Sequence, residues 1–319
     1  MDQVKSFSHY FEVENREAYN PDAFVTITNF SKLIGAYDFD DQVICQVEKN
    51  GGKCGHPHNK GWLGVTTAGD EVLIGGFCAK KYFKADNNFI AERNRINREL
   101  ELIRYNGIID KFLAQRADIE KEVDELHKSV KTIRLLQTNM LNSLPNEVSR
   151  FLEIAEKTKN YSVSIDIKYV ETDKETNKTY TSWVTQNIGN IKNAGFIDRK
   201  KIASYYEKLS GIKTAFTQID STSDKNLQKL KKWAETFSSL ELLRKDITES
   251  ITEYQSFITT DNLNLLLLTT TNRTSRKTIV ELISVNNPSE TIKSPTQYVS
   301  EFEATIREEV GGREFRLSQ

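Results

Sequence analysis

Three cysteines and two histidines fall within residues 45–78: Cys45, Cys54, His56, His58 and Cys78. Thiolate and imidazole are the donors that Zn2+ takes in structural sites, four at a time in a tetrahedron. Cys45 and Cys54 stand on either side of Gly51-Gly52, and a tight turn at those glycines lets both sulfurs face one point. Cys78 follows Gly75-Gly76 and opens CAKKYF, which reads as a short helix; a helix N-terminus favours a thiolate. The expected ligand set is Cys45, Cys54, His58 and Cys78, with His56 as the alternative to His58. Four protein donors close the coordination sphere. A catalytic zinc keeps one position for water, so this set points to one structural Zn2+.

The elements that must position these donors are short. AFVTITNF and QVICQVE are rich in β-branched residues and read as strands, and GWLGVTTAGDEVLIGGF reads as a hairpin turning near Ala68-Gly69-Asp70. Hairpin, loop, hairpin and a helix carrying a ligand in its first turn is the layout of a treble-clef finger. The run Cys54-Gly55…His58…Gly61-Trp62, followed by Ile74-Gly75, Cys78 and Lys81-Tyr82-Phe83, resembles treble-clef-like segments at the N-termini of uncharacterised phage and bacterial proteins. The resemblance implies that Cys54, His58 and Cys78 are ligands. It implies no activity, and it brings host takeover by a phage, or defence against one, into view as a setting.

Beyond this zinc module of residues 1–85 the chain turns helical. In residues 86–145, Phe112, Ile119, Val123, Leu126, Val130, Ile133 and Met140 follow a heptad, with Arg116 and Gln137 in the remaining seam places. Gly107 marks an expected break before it and Pro145 ends it. Residues 146–212 read as a small α/β insert. NEVSRFLEIAEK is a helix, YSVSIDIKYVETD and TYTSWVTQ form a hairpin across KETNK, and DRKKIASYYEKLSG is a helix closed by Gly211. Residues 213–260 carry a second stripe from Leu227 to Ile258 with a phase slip near Leu240, capped by Asp224 or by Ser221, Thr222 or Ser223. In residues 261–319, SRKTIVELISV reads as a strand and SPTQYVSEFEATIREEVG as a helix from Ser294 to Gly311.

A narrow apolar seam needs a partner in water. The expected fold is therefore α+β: a zinc module, a long antiparallel coiled-coil pair made by residues 86–145 and 213–260, the insert at its tip, and a mixed C-terminal tail docked on the zinc region.

The net charge of −1 supplies no global attraction to nucleic acid or membrane. Locally, residues 192–232 hold ten Lys/Arg against four Asp/Glu. Lys200, Lys201, Lys231 and Lys232, beside Tyr205, Tyr206 and Trp233, are the candidate nucleic-acid contacts. Three cysteines, an N-terminus without a basic start and apolar run, and no long apolar segment lead to the expectation of a cytoplasmic protein without disulfides. No Walker loop, Rossmann glycine pattern, His-Glu-x-x-His or deaminase motif is present. The expected role is a non-enzymatic interaction protein presenting its helical pair to a protein partner or to a second copy, with nucleic-acid binding through residues 192–232 as the alternative.

Overall fold

The computed structural model describes residues 4–175, 177–287, 292 and 294–318. The protein is a mixed α+β molecule with a cysteine cluster near its N-terminus. In chain order the first elements are β1 (Lys5–Phe7), α1 (Phe11–Glu14), β2 (Phe30–Ile44), β3 (Glu48–Lys49), β4 (Gly52–Lys53), β5 (Pro57–Thr66), β6 (Glu71–Gly75), α2 (Gly76–Tyr82) and α3 (Asn87–Ala114). Then come α4 (Arg116–Ser143), α5 (Asn146–Thr158), β7 (Ser162–Thr172), β8 (Thr179–Asn190), α6 (Arg199–Ser221) and α7 (Leu227–Ser238). The last are α8 (Leu240–Phe257), α9 (Thr260–Leu267), α10 (Arg273–Asn286), α11 (Pro295–Glu309) and β9 (Phe315–Leu317). They form two compact units: the chain up to Ala114 together with Ser221–Phe237, and Gln115–Asp220 together with the chain from Ser238 onward.

The first unit is built on a sheet of order β1-β2-β5-β6, parallel between β1 and β2 and antiparallel elsewhere. Strand β6, Glu-Val-Leu-Ile-Gly, is buried along its whole length because both faces of the sheet are covered. Leu73 packs on one face with Tyr37, Phe39 and Leu63. Val72 and Ile74 pack on the other with Phe30, Leu33, Phe83, Phe89 and Ile96, where α2 and α3 close the core and where Cys45 and Cys78 lie. Helix α3 is tied to β2 by its own charges. Glu92 accepts from the Leu33 N–H at 2.9 Å, and Arg95 donates to the Leu33 carbonyl at 2.7 Å while pairing with Glu92. The α3 helix runs unbroken through Gly107, where a break was expected. Phe112 near its end stacks on Phe237 of α7 with centroids 5.0 Å apart.

One expected strand is not there. AFVTITNF gives one isolated bridge, Val25 to Val47, and only its last residue, Phe30, enters β2. Thr26 and Asn29 spend their side chains on each other's backbone N–H groups, at 2.7 and 3.1 Å, a local turn that competes with a ladder. The tight turn after Cys45 sits on Asn50 and Gly51, both at positive φ, rather than on Gly51-Gly52.

In the second unit α4 lies among three helices rather than in a pair. Arg116 meets Asp220, Asp124 meets Lys213 and His127 meets Tyr206, so α6 descends as α4 ascends. Lys201 meets Glu253, and Tyr205 bonds Ser250, so α6 is antiparallel to α8 as well. Helix α8, expected to return beside α4, does lie against it through Arg244–Glu122, but runs parallel. The antiparallel neighbour is α6, which continues through the expected stop at Gly211 to Ser221. Its reason is a stripe of Ile202, Tyr205, Leu209, Ile212, Phe216 and Ile219, all buried, whose burial outweighs the roughly 1 kcal/mol that a helical glycine costs. The break before α8 falls at Ser239, beside the phase slip, and Asn226 rather than Asp224 accepts the capping N–H of Lys229 at 3.1 Å.

The hairpin of β7 and β8 forms as expected, and β9 adds to the other side of β7, giving the order β8-β7-β9. The C-terminal tail, expected on the zinc region, thus belongs to the second unit. SRKTIVELISV is not a strand but the body of α10. Asn272 caps it by accepting from Thr274 and Ser275 N–H, and Ile279, Val280 and Ile283 recur at helical spacing in the core. The final helix is as expected: Ser294 accepts from the Gln297 N–H, Pro295 follows, and Gly311 closes it at φ +72°.

Candidate metal centre

Cys45 leaves the end of β2. Its N–H donates to the His56 carbonyl at 3.1 Å, and Gly55 N–H donates back to the Cys45 carbonyl at 3.3 Å. The two legs of the β3-β4 ribbon are thereby locked with Cys45 opposite the Cys54–His56 segment. Gly55 takes φ +68°, a left-handed conformation that suits glycine, and this folds the backbone so that the His56 N–H donates to the Cys54 sulfur. Cys78 comes from the first turn of α2, following the β6–α2 junction at Gly75-Gly76. The sulfurs of Cys45, Cys54 and Cys78 lie within 4.8 Å of one another. Cys54 and Cys78 are 3.4 Å apart, too far for a disulfide bond near 2.05 Å.

Cys45 and Cys78 are buried and Cys54 is half-buried. Burial pushes the Cys78 thiol far up, reinforced by its bond to Cys54 and by Cys45. At Cys54 burial works against ionisation too, but the His56 N–H, the Cys78 thiol and the charge of Lys49 together bring it below the ordinary value. Between Cys54 and Cys78, the surroundings therefore favour ionisation of Cys54. A divalent cation reverses the balance for the remaining sulfurs, because a coordinating thiol gives up its proton. A tetrahedral ion with bonds of 2.3 Å to sulfur spaces its sulfurs at about 3.8 Å, which lies between the 3.4 Å of Cys54 and Cys78 and the 4.8 Å that bounds all three. The three cysteines could hold a metal ion.

His58, the expected fourth donor, and His56, its alternative, both lie outside this group of atoms. The His58 Nε2 is 2.6 Å from the Tyr37 hydroxyl and its Nδ1 is 3.2 Å from the His56 carbonyl, so both ring nitrogens have partners. Burial lowers the pKa of His58, and the ring packs against Gly75, where a Cβ would meet it at 2.9 Å. His56 is exposed, and with Cys54 and Cys78 it lines a cavity of about 220 Å³ shared by Lys49, Phe77 and Lys81. Tyr37, a β2 residue with no sequence signal of its own, is the partner of His58 that the ligand spacing alone missed.

The four lysines singled out for nucleic acid divide between the units: Lys200 and Lys201 belong to the second, Lys231 and Lys232 to the first. Lys201 is paired with Glu253 at 3.0 Å, and Lys231 reaches Glu235 at 4.0 Å. Nearby, Arg199 is paired with Glu153 and Lys229 with Asp224. No helix among the described residues is long and apolar enough to cross a membrane. Compared with protein-family models, with curated proteins and with solved structures, the chain matches none.

Proposed function

We propose that this chain is a zinc-stabilised binding protein, in which one structural Zn2+ held by Cys45, Cys54 and Cys78 completes the N-terminal unit and the helical surfaces engage a macromolecular partner. The convergence of three sulfurs from three separate chain segments carries this reading. Without a cation, crowding three thiols in an apolar core returns only weak bonds to sulfur; with one, it joins β2, the β3-β4 ribbon and α2 at a single point.

For the fourth ligand we assign His56. His56 lines the same cavity as Cys54 and Cys78, whereas both nitrogens of His58 are already engaged. A site closed by three thiolates and one imidazole leaves no position for a reacting water, which suits a structural role.

The test is elemental analysis of the full chain purified without chelators, joined to Co2+ replacement. One zinc per chain, and a cobalt spectrum of a tetrahedral site with three thiolates and one nitrogen, is the expected result. Metal well below one equivalent, with all three thiols freely reacting in the folded protein, would remove the proposal.

A further inference from the structure

Strand β8 is the free edge of its sheet. Among the described residues it pairs only with β7, so its other side presents unpaired N–H and C=O groups. Its sequence, TYTSWVTQNIGN, spans Thr179–Asn190 and contains no charged residue and no proline. These are the devices by which proteins usually blunt such an edge. Almost every residue from Thr179 to Asn187 is exposed, including Tyr180 at 57% and Val184 at 49%. The last residues are partly covered: the Leu265 side chain of α9 comes within 3.0 Å of where a Cβ on Gly189 would sit. The open length is therefore residues 179–187.

We propose that this edge pairs antiparallel with β8 of a second copy of the chain, making one continuous sheet across a two-fold axis. The strand is complementary to itself. The midpoint of 179–187 is Trp183, and antiparallel pairing about it sets Trp183 opposite its own symmetry mate. Thr181 then faces Thr185 of the second copy, Ser182 faces Val184, and Tyr180 faces Gln186. Aromatic pairs and threonine pairs are favourable cross-strand neighbours, and no like charges meet anywhere in the window. Tyr180, Ser182, Val184 and Gln186 lie opposite Glu171, Tyr169, Ile167 and Ile165 of β7. Ile165 and Ile167 are core residues, so Val184 stands at the margin of the core and gains cover from the added strand. Trp183 already carries the Arg316 guanidinium over its ring at 4.4 Å on the other face, which holds the indole in place before any partner arrives. The pairing requires nothing of the cysteine centre, and its failure leaves the zinc reading intact.

The experiment is sedimentation of the full chain over a concentration series, with hydrogen exchange read along residues 179–187. Wild type should show a reversible change to twice the monomer mass, with these amides slowing as the dimer forms. Trp183→Glu keeps an attraction to Arg316 but sets two carboxylates face to face, and should sediment as monomer. Trp183→Lys should do the same, and mixing the two variants in equal amounts should restore dimer as a heterodimer. That restoration separates pairing from a folding defect. A wild type that stays monomeric, a dimer that persists unchanged in Trp183→Glu, variants that fail to recombine, or β8 amides protected only when some other protein is added would each overturn self-pairing.

Discussion

The Nε2 of His58 lies 2.6 Å from the hydroxyl of Tyr37, and this bond turns the more obvious of two imidazoles away from the cysteine sulfurs. His58→Phe should therefore keep the metal and lower stability through the lost bond to Tyr37. His56→Ala should weaken Co2+ affinity by more than about 100-fold, beyond the 10–100-fold that losing an outer partner of a ligand costs. Competition against a chelating dye measures both. The reverse ranking would return His58 to the coordination sphere.

Metal removal should act on one unit. Chelation, or Cys45→Ser, Cys54→Ser or Cys78→Ser, should speed hydrogen exchange across β2, β5, β6 and α2 and leave β7 and α10 protected. At roughly 2–8 °C per kcal/mol, losing about 3 kcal/mol of metal binding lowers the melting temperature of the first unit by roughly 6–24 °C. Equal loss of protection in both units would contradict a local role for the centre.

Two glycines should respond in opposite directions. A Cβ at Gly61 would meet the Ile74 carbonyl at 2.1 Å and the Tyr37 hydroxyl at 2.6 Å, whereas one at Gly107 has nothing within 4 Å. Gly61→Ala should destabilise by at least about 1–3 kcal/mol through overpacking. Gly107→Ala should stabilise by roughly 0.5–1 kcal/mol, since it stiffens a helix at no steric cost. Urea unfolding curves decide both signs.

Asn262 is buried and holds both backbone groups of Lys192, accepting from its N–H and donating to its carbonyl at 2.9 Å each, while also donating to the Phe257 carbonyl at 3.1 Å. Asn262→Ala should cost about 1–3 kcal/mol because it strands polar groups in the interior. Asn262→Asp, which keeps the acceptor and loses both donor hydrogens, should be no better. A neutral result in urea unfolding would show that water replaces the amide.

His127 supplies a pH signature. Burial lowers its pKa, the nearby Lys213 lowers it further, and Asp124 acts the other way. Below the ordinary imidazole value of about 6.5 the unfolded chain takes up a proton that the folded chain resists, so this group makes stability fall as pH drops through that range. An NMR titration should place His127 below the free-histidine value, and Lys213→Ala should move it upward. A midpoint above the ordinary value would contradict the packing described for α4 and α6.

Much of this could be read from residue order because it depended on local chemistry. The cysteines of residues 45–78 converge since turn, glycine and helix start each act within a few residues of a ligand. The β5-β6 and β7-β8 hairpins follow from alternation and turn residues, and Ser294-Pro295 marked its helix start. What escaped depended on which of two competing contacts wins. The strand character of AFVTITNF yields to one Thr26–Asn29 side-chain turn, and the β-branched run in α10 becomes helical because three of its residues meet the core at helical spacing. Gly211 gave no sign that the stripe beyond it would outvote it. No spacing rule between ligands announces that Tyr37 would claim His58.

The first unit is not one stretch of chain. Its backbone leaves at Ala114, and the piece that finishes it, Ser221–Phe237, arrives only after a large part of the second unit has passed. During synthesis the Phe112 ring has no Phe237 to stack against until that later segment is released. A truncated chain ending at Ala114 would carry every cysteine and still leave that aromatic bare. The order of translation thus makes completion of the cysteine-bearing unit wait on part of the unit that holds no cysteine.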